Sequence, residues 1–233
     1  DLWEVLATAR QMSEASGGAF DISIGPVSRL WRRARRRHEL PSPERLKEAL
    51  QLVDYRYVQM VPDRRCVTLV ERNMRLDLGG IGKGYAIDEA LSVLRAHGID
   101  SALVDASGDI GVSGPPPQLP GWRIGIASPE SNAPPEGFFW LVNTAIAQSG
   151  DLWQHVEIGG KRYSHIVDPK TGIGLTDRGS VTIVAPDAMT ADAVASAVSI
   201  LGPERGLALV EEMPDLAGRY VHAPEGTIRS YVS

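Results

Sequence analysis

The chain has a single cysteine, Cys66. One thiol excludes an intramolecular disulfide, and no Cys/His spacing suits a zinc site. A lone cysteine fits a reducing compartment without excluding export. An excess of positive charge is also lacking. The 24 Lys and Arg residues stand against 29 Asp and Glu, a net charge of −5, so the overall charge does not draw the chain to nucleic acid or an anionic membrane. No apolar run approaches the ~18 residues of a transmembrane helix. Tandem repeats and a clear linker are absent. The first residue is Asp1 rather than Met, and the opening stretch is expected to be a helix already under way, with a signal segment or an N-terminal strand before it.

What is present is ordinary apolar mass. A hydrophobic share of 43% over 233 residues is enough for one large domain or two intimate lobes. In the first helix Leu2, Val5, Leu6, Ala9 and Met12 share a face, and Gly17-Gly18 ends it. "AFDISIGPVSRLW" starts with strand-like alternation and breaks at Gly25-Pro26. Five arginines follow between 32 and 37, and Ser42 caps a helix that carries Glu44 in its first turn. Residues 57–78 read as a hairpin-rich β stretch. A helix follows with Ile87, Ala90, Leu91 and Leu94 on one side and Gly98 at its end. Further strands, a helix "MTADAVASAVSILG", a helix over 204–212 and two short strands complete the chain. Strand pairs joined as hairpins favour an α+β fold with mixed or mostly antiparallel sheets over a doubly wound parallel one.

Three stretches carry candidate chemistry. "LDLGGIGKGYAID" puts a glycine-rich turn and Lys83 at a helix start. Free N–H groups there suit phosphate, and Lys83 adds a point charge. The Walker and dinucleotide patterns both fail, so a phosphate site and a plain tight turn stay open. In "TADAVASAV" Asp192 and Ser196 are one helical turn apart. A carboxylate and a hydroxyl so placed can hold Mg²⁺; the alternative is a small-residue helix with Asp192 at its positive end. In "SHIVDPKTG" Asp168, Pro169 and Gly172 make a turn. His165 needs either a partner or a task, and as strand residues His165 and Asp168 would face opposite ways. "VDASGD" and "AQSGD" are anion nests or ordinary turns. The arginine run is a solvated face or a site for phosphate or an acidic partner.

Taken in order, "GAFDISIGPVSRLW", "LDLGGIGKGYAIDEA", "ALVDASGDI", "IAQSGD", "RYSHIVDPKTG" and "TADAVASAV" resemble the FAD:protein FMN transferases, the ApbE-type flavin transferases once described as thiamine-biosynthesis lipoproteins. The resemblance covers roughly residues 17 to 205. It implies an ApbE-like, T-fold-like α+β architecture in one domain over residues 1–233. It also implies Mg²⁺-dependent transfer of FMN from FAD to a Thr or Ser hydroxyl of an acceptor protein, releasing AMP. The acceptor would be a subunit of a membrane redox complex. The chain would act at the outer, periplasmic face of the cell membrane, with no lipid anchor in this stretch; a cytoplasmic place stays open.

By the same resemblance Asp77 and Lys83 contact FAD, as does Ile166, and Leu30-Trp31 lies against the bound flavin nucleotide. Asp192 and Ser196 hold the metal, with backbone contacts from Gly80 and Ala195. His165 is the catalytic histidine. Ser196 stands where the family usually has Thr, Ser107 where it usually has Gly, Asp105 where it often has Asn, and Gln148 where a smaller residue is usual. The family carries a substantial segment before "GAFD", most of which this chain lacks. Two other readings remain: an FAD pyrophosphatase that uses water, and a flavin-binding protein without turnover.

Overall fold

A computed structural model describes residues 1–126, 134–150, 154–222 and 229–233. Its elements are α1 (Leu2–Ala15), α2 (Gly25–Arg37), α3 (Pro43–Leu50), β1 (Val58–Val61), β2 (Cys66–Leu69), α4 (Gly82–Ala96), β3 (Leu103–Ala106), β4 (Asp109–Val112), β5 (Trp122–Ile126), β6 (Gly137–Leu141), β7 (Thr144–Gly150), β8 (His155–Ile158), β9 (Lys161–Ser164), β10 (Gly179–Ala185), α5 (Ala188–Glu212), β11 (Ala217–His222) and β12 (Arg229–Val232). Six strands form one sheet in the order β12-β11-β10-β7-β4-β3. Every pairing in it is antiparallel. Three separate hairpins, β1-β2, β5-β6 and β8-β9, are antiparallel as well. The α+β expectation holds.

The main core lies between this sheet and α1, α4 and α5. Ile183 from β10 and Val194 and Val198 from α5 are fully buried there, with Val5, Leu6, Ala9 and Met12 from α1. Burying each large aliphatic side chain contributes roughly 1.5–3 kcal/mol. Leu2, expected on the same face, is exposed. It sits in the first turn, where Asp1 caps the helix. The start of α5 is held by two carboxylates. Asp187 accepts from Thr190 N at 2.7 Å, and Asp88 of α4 accepts from Ala188 N and Met189 N at 2.8 Å each. These bonds satisfy amides that the helix itself leaves unpaired.

Several local expectations are corrected. Residues 19–24 form no strand beyond one bridge, Ile24 to Arg75. Buried Asp21 accepts from the amide and hydroxyl of Ser23 and from the amide of Tyr55, and these bonds bend the chain instead. Gly25-Pro26 does not break the structure; it opens α2, where proline fits the first turn. Val27, Trp31 and Ala34 then make a buried stripe at helical spacing, so the arginine run is helical. The β stretch over 57–78 ends at Leu69. Asn73 takes a positive φ of 73° beyond it, and Asp77-Leu78 lies outside any strand. The two C-terminal helices are as expected: within the span α5 Gly202 is non-helical, with φ 79° and ψ 178°, and a kink at Gly202-Pro203 separates them. Taken end to end, α5 is long and apolar enough by composition to cross a membrane, but it is kinked at Gly202-Pro203 and over half of its apolar window is buried inside the fold.

Candidate active site

The first turns of α4 and α5 lie side by side. The amide of Gly84 donates to Asp192 Oδ2 at 3.2 Å. A Cβ at Gly84 would overlap the Ala188 carbonyl and lie 2.5 Å from Met189 Cα, so this approach requires glycine. Ahead of α4 the turn at Gly79-Gly80 comes equally close to α5. A Cβ at Gly80 would stand 2.8 Å from Ser196 Oγ and 3.3 Å from Phe20. The glycine-rich turn is therefore where one backbone meets the carboxylate–hydroxyl pair of another helix.

Beside this contact Lys83 makes an ion pair with Asp109, the first residue of β4. Asp109 is 1% exposed, and its other oxygen accepts from Gln148 N at 3.1 Å. The Lys83 ammonium is thus paired with Asp109, and only its charge at a distance acts on the second buried carboxylate, Asp192. Burial, and then the charge of Asp109, push the Asp192 carboxyl up to about 6 from its ordinary 3.8, against the opposing pull of Lys83. A region with one uncompensated negative charge suits a cation. Among the described residues no three of His, Cys, Asp and Glu gather around a metal position. One carboxylate, one hydroxyl and a close backbone turn form the sparse oxygen set that suits Mg²⁺ bound together with substrate phosphates.

The opposite wall comes from α2 and the segment after β9. Trp31 is buried, donates its indole N–H to the Gly172 carbonyl at 2.7 Å and packs on Tyr163. Arg32 pairs with Asp77 at 2.6 Å, and the other Asp77 oxygen accepts from Gly79 N. Strand β9 ends at Ser164, so His165 follows the strand rather than lying in it. His165 is exposed, with Nδ1 at 3.0 Å from the Gln154 carbonyl. A carbonyl oxygen only accepts, so this contact suits a proton on Nδ1. Asp168 is a turn former, as expected. Its carboxylate accepts from Lys170 N and Thr171 Oγ1, and Gly172 takes a φ of 69°. No His165–Asp168 dyad exists.

These walls enclose a cleft of about 770 Å³, within the range of ligand sites. Trp31, Asp77, Gly80, Lys83, His165, Ile166, Asp192 and Ser196 all line it. Ala195 does not; it is buried on the core side of α5, and its carbonyl accepts from Ser199 Oγ at 2.8 Å. Of the two Ser-Gly-Asp stretches, Ser107-Gly108 is a tight turn at the cleft edge, and Asp109 opens the next strand. In the second, Ser149 and Gly150 belong to β7, and Asp151 lies outside the described residues. Sequence reasoning missed the Asp109 and Arg32 partners and the role of Asp88. Their only signals were a turn motif, a charge run and a helix-face aspartate, and each partner is distant in the chain.

A cleft that gathers an ammonium, carboxylates, a hydroxyl and an imidazole has parts suited to phosphoryl-group transfer, which needs positioning and charge neutralisation. The sequence pattern of the ApbE family matches residues 1–219, and the chain belongs to that family. The chain is 35% identical to the FAD:protein FMN transferase of Treponema pallidum, over 98% of this chain and 67% of that protein. Identity to the Haemophilus influenzae FAD:protein FMN transferase is 30%, over 91% and 63%. The chain thus spans about two thirds of the length of these curated relatives. Its fold superposes on the flavin transferase ApbE from Vibrio cholerae with a TM-score of 0.86 at 27% identity, over 99% of this chain and 74% of that one. For the ApbE protein of Thermotoga maritima the TM-score is 0.83 at 32% identity, over 98% and 74%.

Proposed function

We propose that the chain transfers the FMN half of FAD to a Thr or Ser hydroxyl of an acceptor protein and releases AMP. The observation that carries this reading is the convergence of Lys83, His165, Asp192 and Ser196 on one cleft. The acceptor oxygen bonds to the FMN phosphorus as the pyrophosphate P–O bond to AMP breaks. Nε2 of His165 takes the hydroxyl proton. Lys83 holds negative charge at the start of α4. Asp77 and Ile166 orient the flavin nucleotide, and Trp31 forms the wall behind it. Asp192, Ser196 and the Gly80 turn would hold Mg²⁺, which when bound neutralises pyrophosphate charge.

Flavin transfer of this kind serves proteins that carry electrons, so the acceptor we propose is a membrane redox subunit, met at the outer face of the membrane. Cell fractionation tests that place. The activity itself is tested by mass spectrometry of a hydroxyl-bearing acceptor after incubation with FAD and Mg²⁺, beside a chelated control. Addition of one FMN in the metal arm alone is expected. Release of FMN and AMP at the same rate without any acceptor would replace the transferase with a pyrophosphatase.

A further inference from the structure

Helix α2 carries six arginines in thirteen residues and no acidic side chain. Arg32 and Arg35 line the cleft. The remaining four, Arg29, Arg33, Arg36 and Arg37, line a second groove of about 830 Å³ on another side of the helix, together with Arg45 of α3 and Arg75. Glu48 is the one carboxylate on its lining, and Leu30, Ala49 and Leu52 supply an apolar floor. Among the described residues none of these six guanidinium groups is in an ion pair.

Six unpaired like charges in one concavity repel one another, in a chain whose net charge is −5. The local excess therefore calls for an anionic occupant. Guanidinium forks match carboxylates with two parallel hydrogen bonds, and they are less tightly hydrated than ammonium groups. A concave site with an apolar floor admits an extended chain, whereas a bilayer surface meets flat or convex faces. We infer that this groove docks an acidic polypeptide segment of the acceptor protein. The inference rests on the proposed transfer to a protein. Because α2 is the shared wall, a segment held in the groove would keep its neighbouring hydroxyl close to the cleft.

The test uses a fluorescent octaglutamate peptide, with an octaglutamine control, followed by anisotropy at low and at physiological salt. The parent protein is compared with Arg33→Glu/Arg37→Glu and with the milder Arg33→Gln/Arg37→Gln, and FAD binding is measured in all three by flavin fluorescence. Support is octaglutamate binding that weakens with salt and falls about tenfold or more in both variants while FAD binding is unchanged. Equal binding by parent and variants, or none by the parent, overturns the inference. So does binding of phosphatidylglycerol vesicles that the variants lose when octaglutamate never binds, since that makes the surface a membrane contact. Octaglutamate held in the groove of a protein that binds no FAD overturns the transfer reading, and with it the acceptor as the groove's partner.

Discussion

Gly84 and Asp192 are joined by a hydrogen bond from the backbone amide of one to the carboxylate of the other, 108 residues apart in the chain. The bond works because α4 and α5 touch backbone to backbone at that point. Asp88, one turn further along α4, fastens the same pair by accepting two amides of α5. The position of the Asp192 carboxylate is thus a property of the packing of α4 on α5 rather than of α5 alone.

The substitution Gly84→Ala should therefore destabilise the fold by about 1–3 kcal/mol, the usual cost of overpacking. The new methyl group would meet the backbone of Ala188 and Met189, which has little room to give. Urea denaturation measures the loss. A change below a few tenths of a kcal/mol would show that the two helices can part without consequence.

Titration of Asp192 should be visible in the stability of the metal-free protein. Its folded-state pKa, about 6, lies above the ordinary 3.8. The folded protein then takes up the proton before the unfolded chain does, and stability rises as pH falls from about 6 towards 4. The destabilisation is fully present above pH ~6 and is on the order of 3 kcal/mol. Asp21 and Asp88, whose carboxyls burial also pushes up, act in the same direction. With chelator present, Asp192→Asn should be more stable than the parent near neutral pH, with a flatter dependence on pH. Identical pH slopes for parent and variant would reject the shift.

Much of this architecture is written locally, and the rest depends on contacts far apart in sequence. Asp192 and Ser196 are legible because i,i+4 spacing alone puts them on one helix face. Asp168 is legible because Asp-Pro with a later glycine makes a turn in most contexts. Helix α2 was hidden because alternating apolar residues at 20–24 imitate a strand, while the bonds that bend this segment involve Tyr55. The pairing of Lys83 with Asp109 needs a sheet and a helix to be assembled first. No spacing rule reaches Arg32 and Asp77, 45 residues apart. Ala195 fell outside the cleft because a helix turns about 100° per residue, which points residue 195 into the core while 192 and 196 face the cleft.

Ser107 should become more stable as glycine. It occupies the first position of the two-residue turn between β3 and β4 with a φ of 59°, followed by Gly108 at 96°. Such turns require positive φ at both positions, where a Cβ is strained. Ser107→Gly removes that strain but adds freedom to the unfolded chain, so the net gain should be up to about 1 kcal/mol. For a chain of this size that is a rise in Tm of about 2–4 °C, read by thermal denaturation. A lower Tm would mean that the serine hydroxyl holds the turn.

His165 is the last test and the most specific for chemistry. Its Nδ1 and its backbone amide both lie 3.0 Å from the Gln154 carbonyl, which anchors the ring through Nδ1. The side chain is exposed at the cleft, and its loss removes no core packing. His165→Ala should therefore bind FAD within about threefold of the parent. Transfer to an acceptor hydroxyl should fall by ~10²–10⁴, the usual contribution of a general base. Because the vacated space opens to solvent, added imidazole should restore part of the rate, and it should do so more at a pH where imidazole is neutral. A purely structural histidine would show neither the rescue nor its pH dependence, and an unchanged transfer rate in the variant would remove His165 from the chemistry.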